Sequence, residues 1–439
     1  MKIPLEFYNQ QKEELESESS KLKRKLINLG IFRFVVFLIS TFLVYLTLGD
    51  YPNVFFIGFI GALLFSFLVV KYINLKIKKE IVDAKININK IEIKVLKRKF
   101  HHLFSGEEFI NPTHFYSNDI DLFGKGSFYQ FINRTTTLDG KKQLAKLLTE
   151  NKTEAILEKQ SAINELSGKV KWRQHFSALA SLVTVKNKSN LIVNWILNYK
   201  AVFPKNLLKL QVVFSLCSLA LLSLVSFGFL SFTYLLLWFF VGLFITGSFI
   251  KKTSNLYAET DKLRETFKQY HILLNEIEAE KFTSVNLNEK QKIIQSENKK
   301  ASTIFKEFSK ILDAFDNRNN VIIAVLGNGL FLTEILNACK VEKWIVGYKH
   351  TVEKWFKVVA YFDAQNSLAN FKFNHPNFVF PEHSDKKETI KSRQLGHPLL
   401  KVDKRIDNDF SIDDEQFFIV TGANMAGKST FLRTISLSI

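Results

Sequence analysis

Two long apolar stretches interrupt an otherwise lysine-rich chain, and each contains its own turn. From Phe34 to Val70 the one charged residue is Asp50, inside the turn-like run Gly49-Asp50-Tyr51-Pro52-Asn53. This leaves apolar segments at about Ile31–Leu48 and Val54–Ile73, each close to the ~20 residues a helix needs to cross a bilayer. Leu210 to Ile250 carries no charge at all. At ~1.5 Å per residue that run is about two bilayer thicknesses long, with Ser226-Phe-Gly228 as its turn. The pattern predicts two transmembrane helical hairpins, at 31–73 and 205–250. The alternative is a pair of buried core helices, but uncharged runs of this length are rare in soluble cores. A cleaved signal peptide does not fit, because a long polar segment precedes the first run and a second run follows at once.

Basic residues set the expected topology. Lys21, Lys23, Arg24 and Lys25 precede the first hairpin, and Lys71, Lys76, Lys78 and Lys79 follow it. Lys205 and Lys209 precede the second, and Lys251 and Lys252 follow it. Neither turn holds Lys or Arg. The positive-inside rule then places both termini and the segment between the hairpins in the cytoplasm of a cell membrane.

Outside these runs the apolar spacing is helical. Ile77, Ile81, Ala84, Ile88, Ile91 and Val95 alternate at four and three residues, as do Leu263, Phe267, Tyr270, Leu274 and Ile277. Each series predicts a long helix that forms a stalk or packs on a neighbouring helical domain. Leu138 to Leu166 reads as short helices, with Asp139-Gly140 turn-like and Leu144, Leu147 and Leu148 as an apolar face. Residues 300–370 read as helical again, with Ile304, Phe308, Ile311, Leu312 and Phe315 on one face. Near Asn374 the pattern breaks at Pro376, Phe380-Pro381 and the loop Glu382–Lys387. Short strand-like segments follow, notably Phe417-Phe418-Ile419-Val420.

The expected organisation is a cytoplasmic segment at 1–30, hairpin 31–73, a basic helical stalk at 74–109, and a helical core begun at 110–204. Hairpin 205–250, lever-like helices with the rest of the core at 251–372, and a C-terminal domain from 373 to 439 complete it. Composition adds little to this. The chain has 439 residues, 47% hydrophobic, with 43 Phe and only 7 Pro, which argues against disorder. The net charge of +18 suits nucleic acid or anionic lipid, and part of it is accounted for by membrane topology. The two cysteines, Cys217 and Cys339, are too few for a disulfide framework, and no His spacing suggests zinc.

The most specific chemistry lies at Gly422-Ala423-Asn424-Met425-Ala426-Gly427-Lys428-Ser429, which meets G-x-x-x-x-G-K-[ST] without a mismatch. Gly422 and Gly427 let the backbone turn so that successive N–H groups converge on phosphate oxygens. Lys428 supplies a positive charge at the β- and γ-phosphates, and the Ser429 hydroxyl is a Mg²⁺ ligand. A helix expected from Thr430 aims its N-terminal dipole at the same point. The loop should follow a strand at Phe417–Val420. ATP and Mg²⁺ are the expected cofactors, and no catalytic residue is assigned.

Asn424-Met425 within this loop resembles the MutS family of DNA mismatch-repair ATPases. Three upstream stretches agree in order. Thr137-Leu-Asp-Gly140-Lys-Lys-Gln-Leu144-Ala-Lys-Leu-Leu148 and Ile156-Leu-Glu-Lys159-Gln160-Ser-Ala-Ile-Asn-Glu-Leu166 look like the start of the MutS helical core. Asp363-Ala364-Gln-Asn-Ser367-Leu368-Ala369 with Gly396-His397-Pro398-Leu399 look like the run from the levers into the ATPase domain. The resemblance spans roughly 110–200 and 300–439. It implies a MutS-like helical core with the start of an α/β P-loop domain at the C-terminus; with the two transmembrane hairpins read from the apolar runs, the expected fold is mainly α. It also implies ATP hydrolysis in a full-length form, pairing of two copies through the ATPase domain, and DNA as a partner beside membrane lipid.

The departures narrow this. Ala423 and Ala426 stand where the family has Pro and Gly, and Arg405 aligns with the aromatic residue that stacks on adenine. Leu5-Glu-Phe7-Tyr8 superficially resembles the family's Phe-x-Glu mismatch reader, but the first apolar run leaves no room for that domain, so mismatch recognition is not expected. The Mg²⁺-holding acidic strand and the segment that completes the dimeric site would lie beyond Ile439. The chain is therefore expected to be truncated in its first P-loop helix and inactive alone. The competing readings are an ABC-exporter-like membrane ATPase and a non-catalytic membrane scaffold.

Overall fold

The computed structural model describes residues 2–150, 152–183, 189–295, 299–382, 390–413, 417–424 and 426–438. Among them the chain is mainly helical. The helices are α1 (Lys2–Leu46), α2 (Tyr51–Leu96), α3 (Phe128–Ile132), α4 (Leu138–Thr149), α5 (Ile156–Gly168), α6 (Val170–Ser181), α7 (Ser189–Asn198) and α8 (Leu207–Ser226). They continue with α9 (Phe232–Asp261), α10 (Arg264–Ala279), α11 (Val285–Gln295), α12 (Ala301–Asp316), α13 (Val321–Phe331), α14 (Thr333–Tyr348), α15 (Val352–Asn374) and α16 (Lys428–Ser438). Strands β1 (Ile390–Leu395) and β2 (Asn408–Ile412) pair antiparallel. The chain divides into two compact units. The first comprises Met1–Arg134, Leu144–Leu182 and Gln365–Ile439, and the second Thr135–Gln143 and Val183–Ala364.

In the first unit α1 and α2 form one hairpin whose helices continue well past the apolar segments. The turn falls where the sequence places it. Asp50 caps α2 by accepting from the Asn53 side chain at 2.6 Å, and Pro52 occupies the first turn, where no N–H is required. Over the apolar halves almost every side chain faces outward, Phe34, Phe42, Phe55, Phe59 and Phe67 among them. Gly61 lies so close to α1 that a Cβ there would stand 2.6 Å from Ser40 Oγ, the small-residue contact by which helices approach in lipid. Beyond the apolar part the two helices bury Leu22, Val82 and Ile86 between them. Lys78–Glu18 and Lys90–Glu16 ion pairs flank that contact.

The buried stripe of α2 differs from the expected one. Val82, Ile86, Asn89, Glu92 and Val95 are buried, whereas Ile77 is exposed and Ile81, Ala84, Ile88 and Ile91 are half-buried. The expected stripe is the isoleucine-rich one, whereas the buried stripe holds only Ile86 among isoleucines, and polar partners decide that it turns inward. Glu92, 1% exposed, pairs with Arg134 and accepts from Asn374 Nδ2 at 2.8 Å. Asn374 Oδ1 accepts in turn from the Tyr8 hydroxyl at 2.8 Å, and Arg173 donates to Asn370 at 3.0 Å. Asn89 and Gln174 exchange amide hydrogen bonds. Tyr8 is fully buried and Phe7 packs edge-on against Phe373, so the aromatic pair near the N-terminus is core.

α15 ends at Asn374, next to the expected boundary. The following His375 is buried among Phe131, Phe371 and Phe378, with Nδ1 at 2.8 Å from the Phe371 carbonyl. Burial, with Arg98 and Arg405 nearby, lowers its pKa to about 4.

In the second unit α8 and α9 form the other hairpin, with the turn at Phe227-Gly228 and Gly228 at φ +78°. α1, α2, α8 and α9 are all long and apolar enough to cross a membrane. α10 buries Leu263, Phe267, Tyr270, Leu274 and Ile277, as the spacing predicts. It does so by packing on neighbouring helices, with Phe267 against Phe305, Phe308, Trp344 and Phe356. α13 was not anticipated as a separate element, and it meets α14 at 86°.

Buried carboxylates fix the loops of this unit. Glu342 accepts from the Tyr199 hydroxyl at 2.9 Å and the Val202 N–H at 2.6 Å. Asp363 accepts from the N–H groups of Thr136 and Thr137 at 3.0 and 2.8 Å and from the Thr137 hydroxyl at 2.7 Å. Asp139 and Gly140 therefore belong to the first turn of α4 and do not form the expected separate turn. The Thr137 hydroxyl accepts from the Gly140 N–H at 2.9 Å and so caps the helix start, while Asp363 holds Thr137 in place. A Cβ on Gly140 would collide with the Asp363 carboxylate.

Two outcomes follow. Asp363→Ala strands the Thr136 and Thr137 N–H groups and destabilises the protein by about 3 kcal/mol, read as a lower denaturant midpoint; a change within error contradicts the role of Asp363 in holding this loop. Between pH 6.5 and about 4 the unfolded chain protonates His375 while the folded chain does not. Stability therefore falls on acidification through this window. His375→Phe flattens the dependence of the thermal midpoint on pH. A residual slope remains from His175 and His397, which burial lowers in the same direction.

Candidate phosphate-binding loop

The expected loop joins residues 417–421 to α16. Phe417–Val420 belongs to no strand or helix, a departure from the expected strand. A strand needs a neighbour for its N–H and C=O groups, and among the described residues the one sheet is β1–β2. Phe417 and Ile419 are accordingly 97% and 82% exposed. Phe418 alone is anchored, in a cluster with Phe410 of β2 and Phe431 of α16. That cluster holds the chain entering the loop against the helix leaving it.

Between these anchors the backbone turns at Gly422, φ +154°, and Gly427, φ +84°, conformations that side chains with a Cβ rarely adopt. Ala426 N–H donates to the Ala423 carbonyl at 3.2 Å, which closes the loop on itself. Lys428 Nζ lies 2.5 Å from the Gly422 carbonyl and 2.8 Å from that of Ala423. The structure thus brings Gly422, Ala423, Ala426, Gly427 and Lys428 together. Asn424 is exposed on the rim, and Met425 lies outside the described residues.

α16 begins at Lys428, two residues before the expected start at Thr430, so Lys428, Ser429 and Thr430 form its first turn. The N–H groups of that turn have no acceptor inside the helix, and the helix dipole is positive there. Ser429 and Thr430 are exposed at this end. The donor set fits a phosphate chain: backbone N–H groups, one ammonium and two hydroxyls. It also fits a Mg²⁺ ion held by Ser429 and phosphate oxygens. Among the described residues no group of three or more His, Cys, Asp or Glu stands ready to hold a metal without phosphate.

Two features escaped the sequence. Arg433, on the second turn of α16, pairs with Asp121 at 2.6 Å and donates to the Asp119 carbonyl at 3.2 Å. Its partners are remote in sequence, so no local pattern signals them. Arg405, aligned with an adenine-stacking position, is held by Asp407 through two hydrogen bonds and lies over Phe378. With only 11% of its side chain exposed, it acts first as packing. Gly396 lies beneath that ion pair, where a Cβ would collide with it.

No family model matches the chain. Segments of it are similar to curated proteins. A DNA mismatch repair protein MutS from Methanococcoides burtonii is 34% identical over 140 residues, 30% of this chain and 14% of that protein. The MutS of Staphylococcus carnosus is 28% identical over 132 residues, 29% of this chain and 15% of that protein. An endonuclease MutS2 from Ligilactobacillus salivarius is 30% identical over 99 residues, 22% of this chain and 12% of that protein. The matched part spans less than a fifth of each of these relatives. Over those segments, the chain is related to the MutS family.

Proposed function

We propose that this chain is a membrane-anchored, MutS-like ATP-binding protein. The observation that carries the reading is the loop itself, in which two glycines in strained backbone conformations and Lys428 converge on the N-terminus of α16. ATP phosphates take the place of the Gly422 and Ala423 carbonyls as partners of the Lys428 ammonium. The N–H groups from Gly427 to Thr430 bind the same phosphates, and Ser429 holds Mg²⁺ against them. Bound ATP supplies a triphosphate whose negative charge these groups neutralise. The relationship to MutS and MutS2 proteins supports this chemistry over the transporter and scaffold readings.

Both hairpins cross a membrane, with the loop and both termini on the cytoplasmic face, where nucleotide is found. Four helices of sufficient length and outward-facing apolar side chains support this. Two copies pair through their ATPase domains, and DNA is a partner in keeping with the named relatives. Mismatch reading is not part of the proposal, because Tyr8 is buried and Phe7 is packed on Phe373.

Lys428→Ala tests the assignment. The variant loses charge-assisted hydrogen bonds worth about 1.5–3 kcal/mol, which weakens binding of a fluorescent ATP analogue about tenfold to a hundredfold. The far-UV circular dichroism stays that of the parent, since the side chain is tied only to its own loop. Equal affinity in parent and variant would exclude this loop as the nucleotide site.

A further inference from the structure

We infer that α13 and α14 form a re-entrant element. In this reading α13 enters the membrane beside the second hairpin to about mid-depth, and α14 returns to the same side. The inference rests on the proposal that α8 and α9 span a bilayer.

The depth follows from the contacts. Arg318, just before α13, donates to Ser254 at 2.7 Å and lies over Tyr257, beyond Lys251 and Lys252 at the end of the apolar part of α9. At the other end of α13, Gly329 abuts Gly242, where a Cβ on Gly242 would collide with the Gly329 carbonyl. Gly242 is ten residues after the start of α9 at Phe232, about 15 Å along a helix and half of a ~30 Å hydrocarbon layer. The 11 residues of α13 cover about the same distance from the other side. Farther along α14, Glu342 binds the N–H groups of Val202 and Phe203, just before α8 begins. α14 thus leads back to the level from which α13 started.

The elbow is built as a broken helix in a dry medium must be. Its free backbone groups are met by side chains. The Phe331 carbonyl accepts from Gln211 Nε2 at 3.0 Å and Ser215 Oγ at 3.4 Å, both on α8. Asn328 Oδ1 caps α14 by accepting from the Glu334 N–H at 2.8 Å. The Glu334 carboxylate is buried against Arg318 and Thr253. Gln211, Thr246 and Thr253 of the hairpin are likewise buried. The opposite pattern holds outside. Val321, Ile322, Ile323, Val325 and Leu326 are exposed, and so are Leu216, Val241 and Phe244 of the hairpin. Polar atoms point inward and apolar ones outward, the reverse of a helix that meets water. The occupant of this outer face is the acyl region of the cytoplasmic leaflet. The basic residues Lys205, Lys209, Lys251 and Lys252 stand at its rim to meet headgroups.

The test uses the unmodified chain in vesicles containing a phosphatidylcholine with a diazirine in its acyl chain. After photolysis, labelled peptides are mapped by mass spectrometry. A parallel sample receives a water-soluble diazirine. The expected result is acyl labelling of residues 321–326 at a level comparable to that of 212–225 and 233–248, with no aqueous labelling. Acyl labelling of the α8–α9 peptides together with aqueous labelling of 321–326 overturns the inference alone. Absence of acyl labelling from the α8–α9 peptides overturns the membrane reading on which it rests, and the inference with it.

Discussion

A carboxylate removed from water has to be met by donors, and in the first unit Glu92 is the group on which this requirement falls most heavily. It is 1% exposed and takes Arg134 on one oxygen and Asn374 on the other. Asn374 brings Tyr8 of α1, while Arg173 of α6 reaches Asn370 one turn back on α15. Four helices are thereby fixed at one point by groups that cannot shift without stranding a buried charge. The rotation of α2 follows from it, and with it the face that α2 offers to α1. The end of α15 follows too, and there the helical part gives way to the segment that leads to β1 and the loop.

Much of this was legible in the residues and some of it was not. The spacing of Leu263, Phe267, Tyr270, Leu274 and Ile277 states which face of α10 is buried, because burial there is a matter of periodicity alone. Both hairpin turns were legible as well, at Asp50 and at Gly228, since only turn residues interrupt the apolar runs. The stripe of α2 was not, because apolar spacing favours the isoleucine series while the choice lies with Arg134, Gln174 and Asn374. Asp139-Gly140 misleads for the same reason: Asp363, remote in sequence, turns a turn-like pair into a helix start. α13 is too short for any rule based on bilayer thickness. At the loop the glycine and lysine spacing anticipated where the backbone turns and where Lys428 folds back, whereas Arg433 and the packed state of Arg405 depend on remote partners.

The chain thus combines segments related to MutS proteins, a glycine- and lysine-containing loop at the start of α16, and four apolar helices with outward-facing side chains. On the proposed reading the loop is where ATP is bound, and the helices set it at a membrane. The aromatic residues near the N-terminus are spent on packing, so the functional weight falls on the C-terminal loop and on the helices that tie it to the rest of its unit.

The central claim is that this loop binds ATP on the cytoplasmic face of a membrane that the same chain crosses. Photocrosslinking with 8-azido-ATP in sealed membrane vesicles of either orientation, with mass-spectrometric mapping of the labelled peptide, tests it most directly. The account predicts label within residues 417–438 from inside-out vesicles and none from intact right-side-out vesicles. Label from right-side-out vesicles, or label confined to another segment, would contradict it.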